Sequence, residues 1–448
     1  MRPSFGPKSF LPPVDGSTWG HYGAYPAITI PVAVPHPLSW QALEALTPPE
    51  PDRRQGDPTS QAELRLFGQP ERAVRVTLYR DHHAWCPYCQ KVWLWLEERQ
   101  VPYRVRKVTM VCYGRKEPWY LQLVPTGMLP AVEIDGRLFT ESDTILLALE
   151  RCFGSVGAGM NEPEVLRLRR LERQLFQAWC QWLCRPLTPG AAERAEAEFD
   201  RWAGALAAEL ERGPGPFLLG DLGSVDLVFA PYVERMNASL AYYKGVLLRQ
   251  RHPAINRWLQ ALEQRASYRG SQADFHTHAH DLPPQMGGCI ASGSLQQRLL
   301  AERIDRGPWP IAGPDQPDPE TSQVEPGDAA IRALARVLRH RQPLLARYGQ
   351  GNEGACAEAL RAALTHLVHG EECAPPAGTA RMLRSLMQAI SVPRDMPLHS
   401  ARRLRQALEH TARLDPIDGQ AEPLPLPLNH RLDQDPSPFL HTTGVLAA

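Results

Sequence analysis

The stretch from Val74 to Gln100 leaves a chain little freedom. "VRVTLYR" alternates with period two, as a strand with one buried face does. "CPYCQKVWLWLEERQ" then carries a helical apolar stripe through Val92, Trp93 and Leu96. A strand that feeds directly into a helix, with Cys86 and Cys89 at the junction, sets both a fold and a chemistry. The spacing puts Cys86 at the end of the loop and Cys89 within the first helical turn. The sulfur of Cys86 then meets unpaired backbone N–H groups and the positive end of the helix, which favour thiolate over thiol. Pro87 suits the first helical position, where its missing N–H costs no internal bond. Cys89, three residues on, comes close enough to attack a mixed disulfide on Cys86. Taken alone, two such cysteines are a redox pair, half of a metal site or small packing residues. The strand before and the helix after favour redox chemistry. Zinc asks for about four soft or imidazole ligands, and no second close cysteine pair stands in the sequence. An iron–sulfur cluster shared between subunits gains no direct support from one pair.

The pattern continues as an alternating α/β unit. "YRVRKVTM" reads as a strand, "KEPWYLQLVP" as a short helix or turn, and "PAVEIDGRLFTES" as two strands joined by the Asp135–Gly136 turn. "DTILLALERCFG" reads as a helix stopped by Gly154, with Ser142 as its N-cap. The order over 71–155 is βαβαββα. An all-helical domain follows at 160–270, with apolar residues three or four apart over 162–184, 191–212, 224–243 and 254–268. Residues 1–70 form a proline-rich extension that wraps a domain or moves. Residues 271–327 read as a connector whose "FHTHAHDLPPQMGGC" is loop. Four short amphipathic helices fill an additional unit at 328–412, and 413–448 is tail. No repeat of solenoid period is present.

Charge and hydropathy exclude some partners. Lys plus Arg equals Asp plus Glu at 49 each, which gives no general reason to expect nucleic acid or an anionic membrane. The apolar run "AITIPVAV" is far too short to span a bilayer, and the first residues lack the form of a secretory signal. Nine cysteines, an odd number scattered over 448 residues, fit a reducing compartment; the expectation is an intracellular, cytoplasmic protein. The rival to Cys86 and Cys89 is His276, His278 and His280 with Asp281. Extended backbone would set the three imidazoles on one side, a zinc or iron arrangement, but a loop lets them diverge, so no metal is expected. Cys289 could add to the histidine cluster, but its distance from it in space is not legible. Cys180 and Cys184 share a helical face and read as small packing residues. Trp179, Trp182, Tyr232, Met236 and Tyr243 read as core or subunit packing, with an electrophile pocket as the alternative for some of them, and the Arg residues of 331–347 and 402–405 as a solvated bundle face.

"YRDHHAWCPYCQKVWLWLEE", "VPTGMLPAVEIDG", "LFTESD" and the helices after them resemble the glutathione S-transferase superfamily, in its omega-like or glutaredoxin-like form, over about residues 71–270. The resemblance implies an α/β thioredoxin-like domain that holds glutathione as co-substrate, followed by an all-α transferase C-terminal-like domain. Leu129–Pro130 matches the family's cis-proline segment, whose preceding backbone pairs with the cysteinyl part of glutathione. Glu141–Ser142 matches the pair that grips the γ-glutamyl end: a carboxylate for the ammonium, and a hydroxyl with backbone N–H for the carboxylate. Lys116, with Arg115 beside it, falls where the family supplies a basic contact. Two departures stand out. Many omega-like members keep only the first cysteine, whereas this chain also has Cys89. Gly223 replaces the usual Ser or Thr helix cap three residues before Asp226, so the capping box lacks its side-chain half. The implied activity is glutathione-dependent thiol–disulfide exchange, with Cys86 as nucleophile and Cys89 as resolving thiol. Its substrates are a disulfide, a glutathionylated thiol or a small electrophile. Conjugation, dehydroascorbate reduction, a non-enzymatic glutathione-binding scaffold and a homodimer are all compatible with the resemblance.

Overall fold

The computed structural model describes residues 36–421 except 308, 310, 313, 314 and 350. After a short helix, α1 (Trp40–Ala45), the chain enters a sheet of β1 (Leu64–Arg65), β2 (Val76–Asp81), β3 (Tyr103–Val108), β4 (Ala131–Ile134) and β5 (Arg137–Thr140). The strand order is β1-β3-β2-β4-β5. The β2–β3 pair is parallel and the other neighbours are antiparallel. Strand β2, in the middle, buries Val76 and Leu78, and its last residue, Asp81, sits under the cysteine loop. The β4–β5 turn follows its Asp–Gly signal: Asp135 and Gly136 both have positive φ, 50° and 80°.

Strand β1 lies inside the stretch expected to be an extension. Two residues carry no readable period, and what places them is burial of Leu64 and a bidentate ion pair between Arg65 and Glu97, at 2.9 and 3.0 Å. Residues 1–35 of that extension lie outside the described residues.

Helix α2 (Pro87–Glu98) is buried on nearly every side, beyond the single stripe expected. It packs on β2 and is covered by α4 (Ser142–Phe153) and, from the helical domain, by α7 (Ser224–Ser239) and α10 (Ala266–Ser271), so its polar residues must find partners inside. The α3 helix (Pro118–Leu123) precedes the β4 strand. The helical domain comprises α5 (Pro163–Cys184), α6 (Pro189–Arg212), α7 (Ser224–Ser239), α8 (Leu248–Arg251), α9 (Pro253–Glu263) and α10 (Ala266–Ser271), with a wide π turn at Leu240–Lys244 after α7. Trp179, Trp182, Tyr232, Met236 and Tyr243 are core, as their spacing suggests. At the start of α7, Gly223 offers no side chain, but its N–H donates to Asp226 Oδ2 at 3.0 Å. Oδ1 of Asp226 accepts from Leu218 N and Trp258 Nε1, and burial still pushes this carboxyl up to about 6. Asp226 thus ties the turn to α9, a folding role.

The connector expected to be loop is helical: α11 (Phe275–Met286) and α12 (Leu295–Arg306). Asp274 caps α11 by accepting from Thr277 N at 2.9 Å, and Gly287, with φ 78°, ends it. Alternating histidines hid this helix. It is buried on several faces at once, so it shows no 3.6-residue stripe.

The additional unit holds five helices rather than four: α13 (Ala329–Arg339), α14 (Arg341–Tyr348), α15 (Glu353–His369), α16 (Ala380–Ala389) and α17 (Leu398–Arg413). The run read as one helix breaks at His340, and Pro343 then falls in the first turn of α14. These helices share a separate apolar core that includes Leu43 of α1, and Leu38 N donates to Thr365 Oγ1 at 2.9 Å. Part of the N-terminal stretch therefore completes the C-terminal bundle. The Arg residues of 402–405 are not uniformly a solvated face: Arg402 pairs with Glu320, and Arg405, fully buried, pairs with Asp274. The tail beyond residue 421 lies outside the described residues.

Candidate functional site

The residue before Cys86 is clamped from three sides. Trp85 N donates to Asp81 Oδ2 at 2.7 Å, Trp85 Nε1 donates to His278 Nδ1 at 2.9 Å, and Trp85 O accepts from Arg235 Nη2. Arg235, 1% exposed, also donates to Gln90 Oε1 at 2.9 Å and Pro231 O at 2.6 Å, and its guanidinium lies 4.6 Å from the Trp85 ring centroid. Because indole only donates, His278 Nδ1 must be the acceptor, and Nε2–H then donates to Glu234 at 2.8 Å. Burial pushes the His278 pKa down and keeps the ring neutral, in keeping with that tautomer. Burial would raise Glu234, but the hydrogen bond from His278 and the charge of Arg235 outweigh it and hold this carboxyl low.

Cys86 is the N-cap of α2 and Cys89 lies in its first turn, as the spacing implies. The thiols are 4% and 2% exposed, in a cluster with Met110, Cys112 and Tyr113, against which Leu129 packs. Tyr113 belongs to a tight turn, Met110 to Gly114, that lies over the thiols, and its hydroxyl donates to Asp281 Oδ2 of α11 at 3.0 Å. Burial, then the hydrogen bond to Cys86, raises the Cys89 thiol well above its ordinary range, so Cys89 is held protonated. A carboxylate oxygen of Asp81 and the two sulfurs lie within 4.8 Å of one another, and Asp81 Oδ1 is buried without a hydrogen-bond partner among the described residues.

The Leu129–Pro130 bond is cis. Leu129 N–H and C=O, the Glu141 carboxylate and Ser142 Oγ have no hydrogen-bond partner among the described residues. Those are the groups a peptide-like ligand with an ammonium and a carboxylate would engage. Glu141, with φ 64°, is the N-cap of α4 and Ser142 its first residue, so the helix starts one residue earlier than expected; the free N–H groups of the first turn remain available to a carboxylate. Both line a cleft of about 640 Å³ with Tyr88, Lys91, Arg169, Arg173 and Tyr232. Tyr88, two residues from Cys86, is the link between this cleft and the thiols, since Cys86, Leu129 and Lys116 do not line it. Lys116 Nζ donates to Thr109 O at 2.9 Å, which leaves two of its protons for other acceptors, while Arg115 is exposed.

The histidines divide. His276 and His280, one turn apart on α11, come within 4.8 Å of Asp305, the second potential metal grouping after Asp81, Cys86 and Cys89, whereas His278 points to Trp85. His280 Nε2 lies 2.7 Å from Asp305 Oδ1, a distance an ordinary imidazole–carboxylate hydrogen bond explains. Asp81, Glu234 and Arg235 were missed from the sequence. The available signal was a Glu–Arg pair inside a helix that is apolar almost all round, where a charge has nowhere solvated to go.

Comparison with known proteins finds similarity to glutathione S-transferases. Residues 85–152 match the family model for the glutathione S-transferase N-terminal domain, and 189–261 that for the C-terminal domain. Among curated proteins, "Glutathione S-transferase DHAR2" of Arabidopsis thaliana is 27% identical over 42% of this chain and 84% of its own length. Among solved structures, glutathione transferase Omega 3C of Trametes versicolor is 23% identical, with a TM-score of 0.38 over 53% of this chain and 91% of that one. Dehydroascorbate reductase of Chlamydomonas reinhardtii is 21% identical, with a TM-score of 0.38 over 44% and 91%.

Proposed function

We propose, from the premise that this chain is a member of the glutathione S-transferase superfamily, that it is a glutathione-dependent thiol transferase that works through a mixed disulfide on Cys86. The observation that carries this reading is the asymmetry of the pair. One sulfur caps a helix N-terminus, and the other, in the first turn of the same helix, is held protonated. In the first step the Cys86 thiolate attacks the glutathione sulfur of a glutathionylated thiol, whose own sulfur leaves as thiolate. In the second, a glutathione thiolate attacks the glutathione sulfur of the mixed disulfide, releasing glutathione disulfide and regenerating Cys86. Alternatively Cys89 gives its proton to Asp81 and attacks Cys86, releasing glutathione and leaving an internal disulfide. Sulfur exchange of this kind runs without a metal.

Glutathione binds with its cysteinyl backbone on Leu129, its ammonium on Glu141 and its γ-glutamyl carboxylate on Ser142 and the first N–H groups of α4. Glu141→Gln or Ser142→Ala is expected to raise the KM for glutathione by about tenfold, the value of one charge-assisted hydrogen bond, with kcat within about twofold. Steady-state reduction of a glutathionylated peptide over a range of glutathione concentrations measures this. An unchanged KM would remove these residues from the site.

The low exposure of Cys86 supports a second reading, glutathione binding without exchange. Turnover requires the Met110–Gly114 turn to lift, and the Tyr113–Asp281 hydrogen bond holds it down. Tyr113→Phe is therefore expected to speed alkylation of Cys86 by iodoacetamide about five- to tenfold, the worth of one net hydrogen bond. Glutathione binding in a chain with neither alkylation of Cys86 nor peptide reduction would select the binding-only reading. No helix among the described residues is long and apolar enough to cross a membrane.

A further inference from the structure

A second pair of cysteines comes together between the end of α5 and the segment after α11. Cys184 is the last residue of α5, and Cys289 follows the end of α11 by three residues. Ile290 N donates to Leu183 O at 2.8 Å, which lays the backbone of 289 beside that of 184, and each thiol shifts the other's ionisation. The segment is pinned at its next residues as well: Ser292 N donates to Tyr243 O at 2.7 Å and Lys244 Nζ to Ile290 O at 2.7 Å. Both cysteines are half-buried, so a small reagent reaches them.

We propose that Cys184 and Cys289 form a second redox-active dithiol, oxidised to a disulfide by small hydroperoxides and separate from the Cys86–Cys89 chemistry.

The two sulfurs have different roles. At a helix C-terminus the dipole opposes a thiolate, as burial does. The Cys289 thiol, joined by the charges of Lys244 and Arg185, outweighs both and holds Cys184 below the ordinary thiol range. Cys184 in turn, then burial, pushes Cys289 up. Cys184 is thus the nucleophile. Its thiolate attacks one peroxide oxygen, the O–O bond breaks, and the leaving hydroxide takes a proton to become water, leaving a sulfenic acid on Cys184. Cys289 sulfur then attacks Cys184 sulfur; the S–O bond breaks, and the hydroxyl leaves as water with the Cys289 proton. Two electrons from two thiols reduce one hydrogen peroxide to two waters. Cys180, one turn earlier on α5, is the competing partner, but a disulfide between residues four apart on one helix is geometrically poor.

The test uses the full chain carrying Cys86→Ser and Cys89→Ser, so its outcome does not depend on thiol transfer at those positions. The reduced protein is treated with equimolar hydrogen peroxide, alkylated and digested. The expected result is a Cys184–Cys289 linked peptide, lighter by two hydrogens, while the other thiols are recovered alkylated. With Cys289→Ser added, dimedone should label Cys184; with Cys184→Ser added instead, Cys289 should stay unlabelled. Lys244→Gln should slow disulfide formation by about three- to tenfold near pH 7, the difference narrowing above pH 9 as both forms ionise. Recovery of Cys184 and Cys289 as free thiols, or a link from Cys184 to Cys180, would overturn the proposal. The linked-peptide measurement on the native pair stands even where a serine variant folds poorly.

Discussion

Cys86→Ser lowers glutathione-dependent reduction of a glutathionylated peptide by at least about a thousandfold, the loss expected when a covalent nucleophile is replaced by a hydroxyl that does not ionise near neutrality. Cys89→Ser has a much smaller effect. Cys89 is 2% exposed and is held protonated by burial, so it meets no substrate of its own. In saturating glutathione the external thiol resolves the mixed disulfide, and Cys89→Ser keeps its rate within about threefold. At limiting glutathione the internal route matters more, and there Cys89→Ser falls behind the wild type. Asp81→Asn leaves both sulfurs in place but removes the carboxylate positioned to take the Cys89 proton, so it copies the Cys89→Ser phenotype. Initial rates against glutathione concentration for the four proteins separate the routes. Retention of activity in Cys86→Ser would sink the catalytic assignment, and equal loss in both cysteine variants would make the dithiol route obligatory.

The parts of this site that were legible in the sequence are those set by local rules. Period-two alternation marks β2, Asp135–Gly136 marks the β4–β5 turn, and the junction of strand and helix marks Cys86. The parts that were not legible are held by contacts between elements far apart in the chain. Asp81, Arg235 and His278 converge on one residue, Trp85, from a strand and two helices, and no local pattern brings them together. The histidines of α11 fall in a stretch whose weak helical periodicity reads as loop, whereas the helix sends His276 and His280 one way and His278 another. The Arg residues of α17 looked like a solvated face because charge on an amphipathic helix usually is one. Here the helix packs against α12, and buried carboxylates, Asp274 at the start of α11 and Glu320 of the connector, meet the guanidinium groups instead.

That last contact gives the additional unit a role at the site. Arg405 of α17 and Asp274, the N-cap of α11, are an ion pair with both side chains fully buried, and Arg405 also donates to Ile390 O at 2.8 Å. Asp274 fixes the start of the helix whose His278 clamps Trp85 and whose Asp281 holds Tyr113. Arg405→Met leaves one charge buried without its partner and is expected to cost about 3–5 kcal/mol in chemical denaturation. It should also alter the rate of Cys86 alkylation, although Arg405 belongs to the bundle and touches neither thiol. The pH dependence distinguishes loss of the pair from loss of packing. In the wild type, burial would raise Asp274, but the charge of Arg405 and the hydrogen bonds of Thr277 outweigh it, so the folded carboxyl titrates below its unfolded value. Its contribution is therefore complete above about pH 4, the unfolded carboxyl range, and is lost as pH falls below it. Without Arg405, burial dominates and the folded carboxyl titrates above the unfolded value; the variant then gains stability as pH falls from 7 toward 5, where the wild type shows no such gain from this group. Adding Asp274→Asn to Arg405→Met should recover part of the loss by removing the stranded charge. A cost below about 1 kcal/mol, or a variant whose stability shows no rise on acidification, would mean that the pair does not brace α11.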